Sequence, residues 1–132
     1  MRFKIPQDSE KIIWTRHAIE KMIQYQLSEG RIKRVLHSPH RIEEGIAPKT
    51  IAIMQSVGTR KHPKEIWVMF QKINKKKSQR FRQKSSKTNI KTFSDKIRII
   101  SVWRYPGITP VRELPRLPAE EWEILKSGIL LD

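Results

Sequence analysis

A histidine lies where the sequence predicts the first turn of a helix. Thr15 has the side-chain oxygen needed to cap a helix N-terminus, and Arg16 and His17 come directly after it. The N–H groups at such a terminus attract phosphate. A histidine there can serve as an acid or a base near neutral pH, or it can be a structural side chain at or near the surface. The residue types leave both interpretations open.

Positive charge is concentrated in one segment of the chain. Residues 71–91 hold nine basic side chains and no acidic one. These are Lys72, Lys75, Lys76, Lys77, Arg80, Arg82, Lys84, Lys87 and Lys91. Cations at this density repel one another unless a polyanion such as an RNA or DNA backbone neutralises them and releases counterions. We call residues 71–96 the basic arm and predict that it is an insertion between two strands that binds nucleic acid.

The remainder of the chain is basic as well. The formal net charge is +15, of which +6 remains without the nine cations of residues 71–91. A field of this sign favours any polyanion, including a membrane surface or an acidic protein tail, so the charge indicates a class of partner. A solubilising linker is the alternative interpretation of the arm. Phe81 favours a nucleic-acid role, because an aromatic side chain among cations can stack on bases.

Length and composition predict one domain. The chain has 132 residues, of which 37% are hydrophobic and 31% charged. It contains no cysteine, which excludes disulfides and thiolate metal sites. His37, His40 and His62 have spacings that fit no common metal motif, so we expect neither a metal nor another cofactor. The chain lacks a signal peptide and any apolar run of about 20 residues, and we expect a cytoplasmic protein without membrane contact.

The elements that must position these residues follow from the apolar pattern. A helix is predicted from Arg16 to Gln26 after the Thr15 cap. Ser28 caps a second helix, which ends at Ser38-Pro39. Its apolar side contains Ile32, Val35 and Leu36.

After residue 39 the spacing of the apolar residues changes from that of helices to that of strands. Short strands are predicted at residues 11–14, 41–44 and 50–55, and central strands at residues 65–70 and 96–104. Strict alternation would place Arg98, Ile100, Val102 and Arg104 on one face of the last strand, opposite Ser101 and Trp103.

A Pro-rich connector at residues 107–117 leads to a final helix that Pro118 opens, with Trp122 and Leu125 facing the sheet. The predicted fold class is α+β, with two N-terminal helices packed on a mainly antiparallel sheet of three to five strands and a C-terminal helix. The single domain covers residues 1–132, with the connector and final helix at residues 107–132.

The first part of the chain carries a resemblance to a known family. Its pattern consists of Thr15-Arg16-His17-Ala18 and Met22, Leu27-Ser28, Val35-Leu36, Ser38-Pro39 and Arg41-Ile42-Glu43-Glu44-Gly45. Together with the late strand at residues 97–104, this pattern resembles a domain-of-unknown-function family grouped with the RelE/ParE-like toxins, of the barnase/EndoU/colicin/RelE-type fold. The resemblance covers residues 11–105. It implies a compact sheet with two N-terminal helices, in a superfamily that contains metal-independent ribonucleases and also toxins that are not nucleases.

The resemblance also implies roles for single residues. In RelE-type nucleases, basic side chains and often a Tyr or His activate a ribose 2′-hydroxyl and stabilise the charged phosphorane, without a metal. On this basis His17 would be the base or acid, Arg104 the phosphate clamp, and Tyr105 the second proton donor or a stacking group. Arg16 and Arg98 would join the arm in binding nucleic acid.

Two segments depart from the toxin pattern, namely the long arm and the Pro-rich tail, and they favour a binding protein built on the fold. We therefore predict an RNA-binding RelE/ParE-like toxin-type protein. The sequence leaves open whether it is also a metal-independent endoribonuclease. The alternatives are a non-catalytic RNA- or ribosome-binding protein and a DNA-binding accessory protein. The expected partners are RNA or the ribosome, and a toxin would also have an antitoxin protein.

Overall fold

The computed structural model describes residues 3–73 and 96–128, which form eight helices and strands. In chain order these are β1 (Ile12–Trp14), α1 (Arg16–Tyr25), α2 (Glu29–His37), β2 (Arg41–Glu44), β3 (Ile51–Gly58), β4 (Pro63–Ile73), β5 (Lys96–Pro106) and α3 (Ala119–Ser127). The described residues thus confirm the α+β class: one mixed sheet of five strands with three helices, of which α3 lies at the C-terminal end.

The first two helices begin at the predicted caps. Thr15 Oγ1 accepts a hydrogen bond from the Ala18 N–H at 3.1 Å, and Ser28 Oγ accepts one from the Arg31 N–H at 3.1 Å. The first helix ends one residue earlier than predicted, because Gln26 takes the left-handed conformation with φ of 54°.

The sheet has the strand order β1-β5-β4-β3-β2. Among the described strands, β1 alone runs parallel to its neighbour, pairing with residues 97–99 of β5, and the other three pairings are antiparallel. The strands β3, β4 and β5 are longer than predicted. Their pairing continues past the apolar runs, as far as Gly58 opposite Pro63 and Ile73 opposite Lys96.

A β-bulge in the pairing of β4 with β5 changes the faces of β5. The register shifts by one residue between Met69 and Phe70, which leaves Ile100 without a partner on β4. Val102 packs in one core cluster and Ile100 in the other. The predicted strict alternation, with Ile100 and Val102 on one face, is therefore wrong.

Two clusters of buried side chains form the core. The first joins apolar residues of α1 and α2 to β3, β4 and β5. Its buried members are Trp14, Ala18, Met22, Leu27, Ile32, Val35, Ile53, Ile66, Val68, Phe70, Ile99 and Val102. The second cluster joins β3, β4 and β5 to α3. Its buried members are Ala47, Ala52, Met54, Trp67, Met69, Ile100, Trp103 and Leu125.

The Pro-rich connector is fastened to the sheet by polar contacts. Arg41 on β2 donates hydrogen bonds from Nη1 to the Thr109 carbonyl at 2.6 Å and from Nη2 to the Pro110 carbonyl at 3.0 Å. The buried Glu65 carboxylate on β4 accepts from Thr109 Oγ1 at 2.7 Å and from Trp67 Nε1 at 2.9 Å. These contacts explain how a segment with little regular structure keeps one path to α3.

The last helix presents a different face from the one predicted. Leu125 is buried as expected, but Trp122 is 37% exposed, so its predicted position against the sheet is wrong. The second buried residue of the helix is an acid, Glu121, which is only 6% exposed. Gly128 ends the helix with φ of 78°, in agreement with its predicted capping role.

The basic arm lies largely outside the described residues. The structure describes its two ends, Gln71 to Ile73 at the end of β4 and Lys96 at the start of β5. The cations Lys75 to Lys91 and the aromatic Phe81 fall in the range that is not described. In the part of the chain that the structure describes, no helix is both long and apolar enough to cross a membrane.

Candidate functional site

His17 faces a buried carboxylate. Its Nε2 lies 2.9 Å from Glu121 Oε2, and Lys21 Nζ lies 2.8 Å from Glu121 Oε1. The Ser101 hydroxyl also reaches Glu121 Oε2, at 3.5 Å. Three groups that can donate hydrogen bonds thus converge on one carboxylate. Two of them belong to α1 and the third belongs to β5. We call His17, Lys21 and Ser101 the donor triad.

Local structure explains why the triad converges. His17 and Lys21 are four residues apart on α1, so their side chains lie on the same side of the helix, next to the fully buried Ala18. The Thr15 hydroxyl fastens the start of this helix to β5 through a 2.8 Å hydrogen bond to the Ile99 carbonyl. Ser101, two residues further along β5, is therefore brought beside α1.

Glu121 enters from the first turn of α3. An acidic side chain is favoured there by the positive end of the helix dipole. Burial raises the pKa of the Glu121 carboxyl, but the hydrogen bonds and charges of His17 and Lys21 outweigh burial and leave the pKa below its ordinary value. The carboxylate is consequently ionised at neutral pH.

The contact with Glu121 also orients the imidazole of His17. When the neutral ring donates from Nε2 to a carboxylate, its Nδ1 is the atom able to accept a proton. Such a carboxylate-oriented histidine is a common arrangement in acid–base catalysis. The His17 side chain retains 14% exposure, so it lies at the margin of the core rather than within it.

Arg104, the second predicted catalytic residue, lies at the opposite end of α1, and Tyr105 follows it on β5. Arg104 donates hydrogen bonds from Nε to the Tyr25 carbonyl at 3.3 Å and from Nη2 to the Gln26 carbonyl at 3.4 Å, which satisfies the last turn of the helix. Along the helix axis, Tyr25 is about 12 Å from His17. Tyr105 packs against the second core cluster. The structure therefore does not bring His17, Arg104 and Tyr105 around one point.

The predicted nucleic-acid-binding residues that are described divide between two places. Lys72 is exposed near the end of β4, and Arg98 on the adjacent strand donates from Nη1 to Gln71 Oε1 at 2.8 Å. Arg16 is exposed at the first position of α1. Lys75, Lys76, Lys77, Arg80, Phe81, Arg82, Lys84, Lys87 and Lys91 lie outside the described residues.

Sequence reasoning missed three members of the site: Lys21, Ser101 and Glu121. The four-residue spacing from His17 was a usable signal for Lys21. Glu121 gave no comparable signal, because it is 104 residues from His17 in the chain and looked like an ordinary acid at a helix N-terminus. Ser101 was assigned to the same face of β5 as Trp103, but nothing in the pattern of that strand indicated that Glu121 would reach it.

Two open pockets that the described residues form lie away from the triad. One, of about 730 Å³, lies between β2, the connector and α3, with Trp122, Arg112 and Glu43 in its lining. The other, of about 780 Å³, lies between the N-terminal segment and the α1–α2 junction, with Phe3, Ile23 and Lys33 in its lining. Within residues 3–73 and 96–128, no three His, Asp or Glu side chains are grouped as a metal site would require.

Comparison of the chain with models of protein families, with curated proteins and with solved structures finds no match in any of the three.

Proposed function

We propose that the protein binds RNA as a RelE/ParE-like toxin-type protein, with the basic arm as its main contact surface. The observation that carries the proposal is the run of nine cations without an acid in residues 71–91, eight of which lie between β4 and β5. Such a run costs free energy through self-repulsion, and phosphate contacts relieve that cost by releasing counterions.

The described ends of the arm support this proposal. Ile73 lies opposite Lys96 in the β4–β5 register, and Lys72 lies opposite Ile97. Lys72, Lys96 and Arg98 therefore lie at the end of the sheet from which the arm departs, with Lys72 on one face and Lys96 and Arg98 on the other. The side chain of Gln71 accepts a hydrogen bond from Arg98, which fixes one guanidinium there. A polyanion on the arm would meet further positive charge at its base.

The charge of the rest of the protein has the same sign. The described residues carry 19 Lys and Arg and 11 Asp and Glu, a formal net charge of +8. A field of this sign steers polyanions toward the surface from a distance. An antitoxin with an acidic segment would be attracted by the same field and would compete with RNA.

The experiment for RNA binding compares two sets of variants in a mobility-shift titration over a range of salt concentrations. Lys75, Lys76 and Lys77 are changed to Gln in one protein, and the matched control replaces Arg60, Lys61 and Lys64 in the same way. The control removes equal charge from the other end of β4, about 25 Å from Lys72. We expect the arm variant to bind single-stranded RNA more weakly and to lower the slope of log K against log salt by about two.

Equal losses in both variants would show that the net charge alone attracts RNA, and the arm would no longer be the contact surface. Duplex DNA of matched length forms a parallel titration. Preference for the duplex would replace the RNA proposal with that of a DNA-binding accessory protein.

Endoribonuclease activity is a second candidate, favoured by the carboxylate-oriented imidazole of His17. The distance of Arg104 and Tyr105 from His17 favours the non-catalytic alternative. Two incubations of labelled RNA separate these candidates: one with the protein alone in EDTA-containing buffer, and one with translating ribosomes in EDTA-free, Mg²⁺-containing buffer. A nuclease that uses His17 loses cleavage in His17→Ala while its RNA affinity is retained, whereas a pure binding protein leaves the RNA intact throughout.

A further inference from the structure

The buried position of Glu121 is unusual for an acid on a short terminal helix. Both carboxylate oxygens are used: Oε2 contacts His17 Nε2 and Ser101 Oγ, and Oε1 contacts Lys21 Nζ. The three donors belong to α1 and β5, elements that the first core cluster and the Thr15 hydrogen bond hold together without α3. The donor triad is therefore built by the body of the protein, and α3 supplies only the anion.

The triad has the composition of a phosphate site. A lysine ammonium, an imidazole N–H and a serine hydroxyl are donors to which phosphate oxygens bind, and charged donors form the shortest and strongest of these bonds. The distances of 2.8 and 2.9 Å to Glu121 lie in the range for charge-assisted hydrogen bonds. An ionised carboxylate and a phosphate present the same features to these donors, namely negative charge and several acceptor oxygens.

The helix that carries Glu121 makes few other buried contacts. Of its nine residues, only Glu121 and Leu125 are buried. Trp122 and Ile124 remain 37% and 40% exposed, and Pro118 provides no side-chain cap at the beginning of the helix. Removal of Glu121 from the triad thus disturbs one buried leucine and the polar contacts just described, so exchange of the carboxylate for another anion sacrifices few other buried contacts.

We infer that His17, Lys21 and Ser101 form a phosphate-binding site that Glu121 of α3 occupies in cis. The ligand class is a phosphate group, either as a free anion or at the end of a polynucleotide. The site is distinct from the basic arm, so the inference does not depend on RNA binding by the arm. Occupation by Glu121 keeps the site closed until a phosphate competes successfully or α3 moves away.

The test is an NMR titration of the full chain with inorganic phosphate, with chloride used to hold the ionic strength constant. The Hε1 signal of His17 is the probe, assigned from its loss in His17→Gln. In Glu121→Ala we expect a saturable shift of this signal, with an affinity about tenfold or more above that of the wild type. Glu120→Ala is the matched control, because it removes an exposed acid from the same helical turn.

A second substitution ties the effect to the triad. Lys21→Met in the Glu121→Ala background is expected to abolish the saturable shift. If Glu121→Ala proves unfolded, Glu121→Gln serves in its place, since it keeps the shape of the side chain and removes its charge. A folded Glu121 variant whose His17 signal does not respond to phosphate would overturn the inference. A response as strong in Glu120→Ala, or undiminished by Lys21→Met, would do the same.

The source of the phosphate is then distinguished by two short oligoribonucleotides of one sequence, one with a 5′-phosphate and one with a 5′-hydroxyl, added to Glu121→Ala in separate titrations. A shift of the His17 signal that requires the terminal phosphate identifies a polynucleotide end as a ligand. A response to inorganic phosphate and to neither oligonucleotide identifies a site for the free anion.

Discussion

At the scale of single residues, Glu121 has the clearest role in holding α3 to the body of the protein. It is 6% exposed and accepts contacts from His17 and Lys21, whose side chains are 14% and 17% exposed. Loss of one partner from such a group leaves the others partly desolvated without compensation. The contribution of the carboxylate therefore depends on the whole group and is larger than that of an exposed ion pair.

Replacement of Glu121 by Ala should accordingly destabilise the protein. We expect the free energy of unfolding to fall by about 1–3 kcal/mol, because His17 and Lys21 lose a charged acceptor in a partly buried position. Urea denaturation followed by circular dichroism measures the change. Glu123→Ala, an exposed acid of the same helix, should stay within about 0.5 kcal/mol of the wild type. Equal effects of the two substitutions would refute this role of Glu121.

The same carboxylate predicts how stability depends on acid pH. The pKa of Glu121 is lowered in the folded protein, so the unfolded chain binds the proton more readily. The contribution of Glu121 to the free energy of unfolding is therefore complete above the ordinary glutamate pKa. It is lost as the pH falls through the lower pKa of the folded protein. The pKa of Glu43 is lowered too, chiefly by a hydrogen bond from Arg41, and it acts in the same direction. Unfolding in urea between pH 6 and pH 3 should show a shallower decline in Glu121→Gln than in the wild type.

At the scale of helices and strands, α1 connects the caps to the candidate site. Thr15 caps the helix and also donates from Oγ1 to the Ile99 carbonyl, whereas Ser28 caps α2 through a single side-chain contact to Arg31 N. Ser28 is therefore a helix cap alone, whereas Thr15 is a helix cap that also makes a tertiary contact.

This difference gives a prediction about the two caps. Ser28→Ala should cost about 1 kcal/mol of stability, the usual value for loss of a helix cap. Thr15→Ala should cost more, by about 0.5–1.5 kcal/mol, since the hydrogen bond to β5 is lost as well. Thermal and urea unfolding of both variants provide the measurement. If the two variants lost the same free energy of unfolding, the hydrogen bond from Thr15 to β5 would contribute nothing beyond the helix cap.

These elements also show which parts of the structure the sequence could predict. Caps and helix ends depend on residues within one turn of each other, and Thr15, Ser28 and Gly128 were identified correctly. The bulge at Ile100 depends on the register between two strands and has no local signature. The pairing of Glu121 with His17 depends on where a connector of irregular structure places α3. Arg41 and Glu65 determine the path of that connector, and the spacing of residues in the sequence gives no sign of their contacts with it.

At the scale of the whole molecule, the fold and the basic arm are separable in principle. The described residues contain both core clusters, and Ile73 and Lys96 lie directly opposite each other at the point where the arm leaves the sheet. A hairpin can close such an antiparallel pair with a two-residue turn.

We therefore expect the fold to survive replacement of residues 74–95 by an Asn-Gly turn. Shortening the loop lowers the entropic cost of closing it, which would raise the free energy of unfolding by up to about 2 kcal/mol. RNA affinity should fall steeply in the same protein, because eight of the nine cations of residues 71–91 are removed while Lys72 remains. Urea unfolding and a mobility-shift titration at one salt concentration measure the two effects. A folded variant with unchanged RNA affinity would move the binding surface from the arm to the body of the protein, where the donor triad would become the first place to look for it.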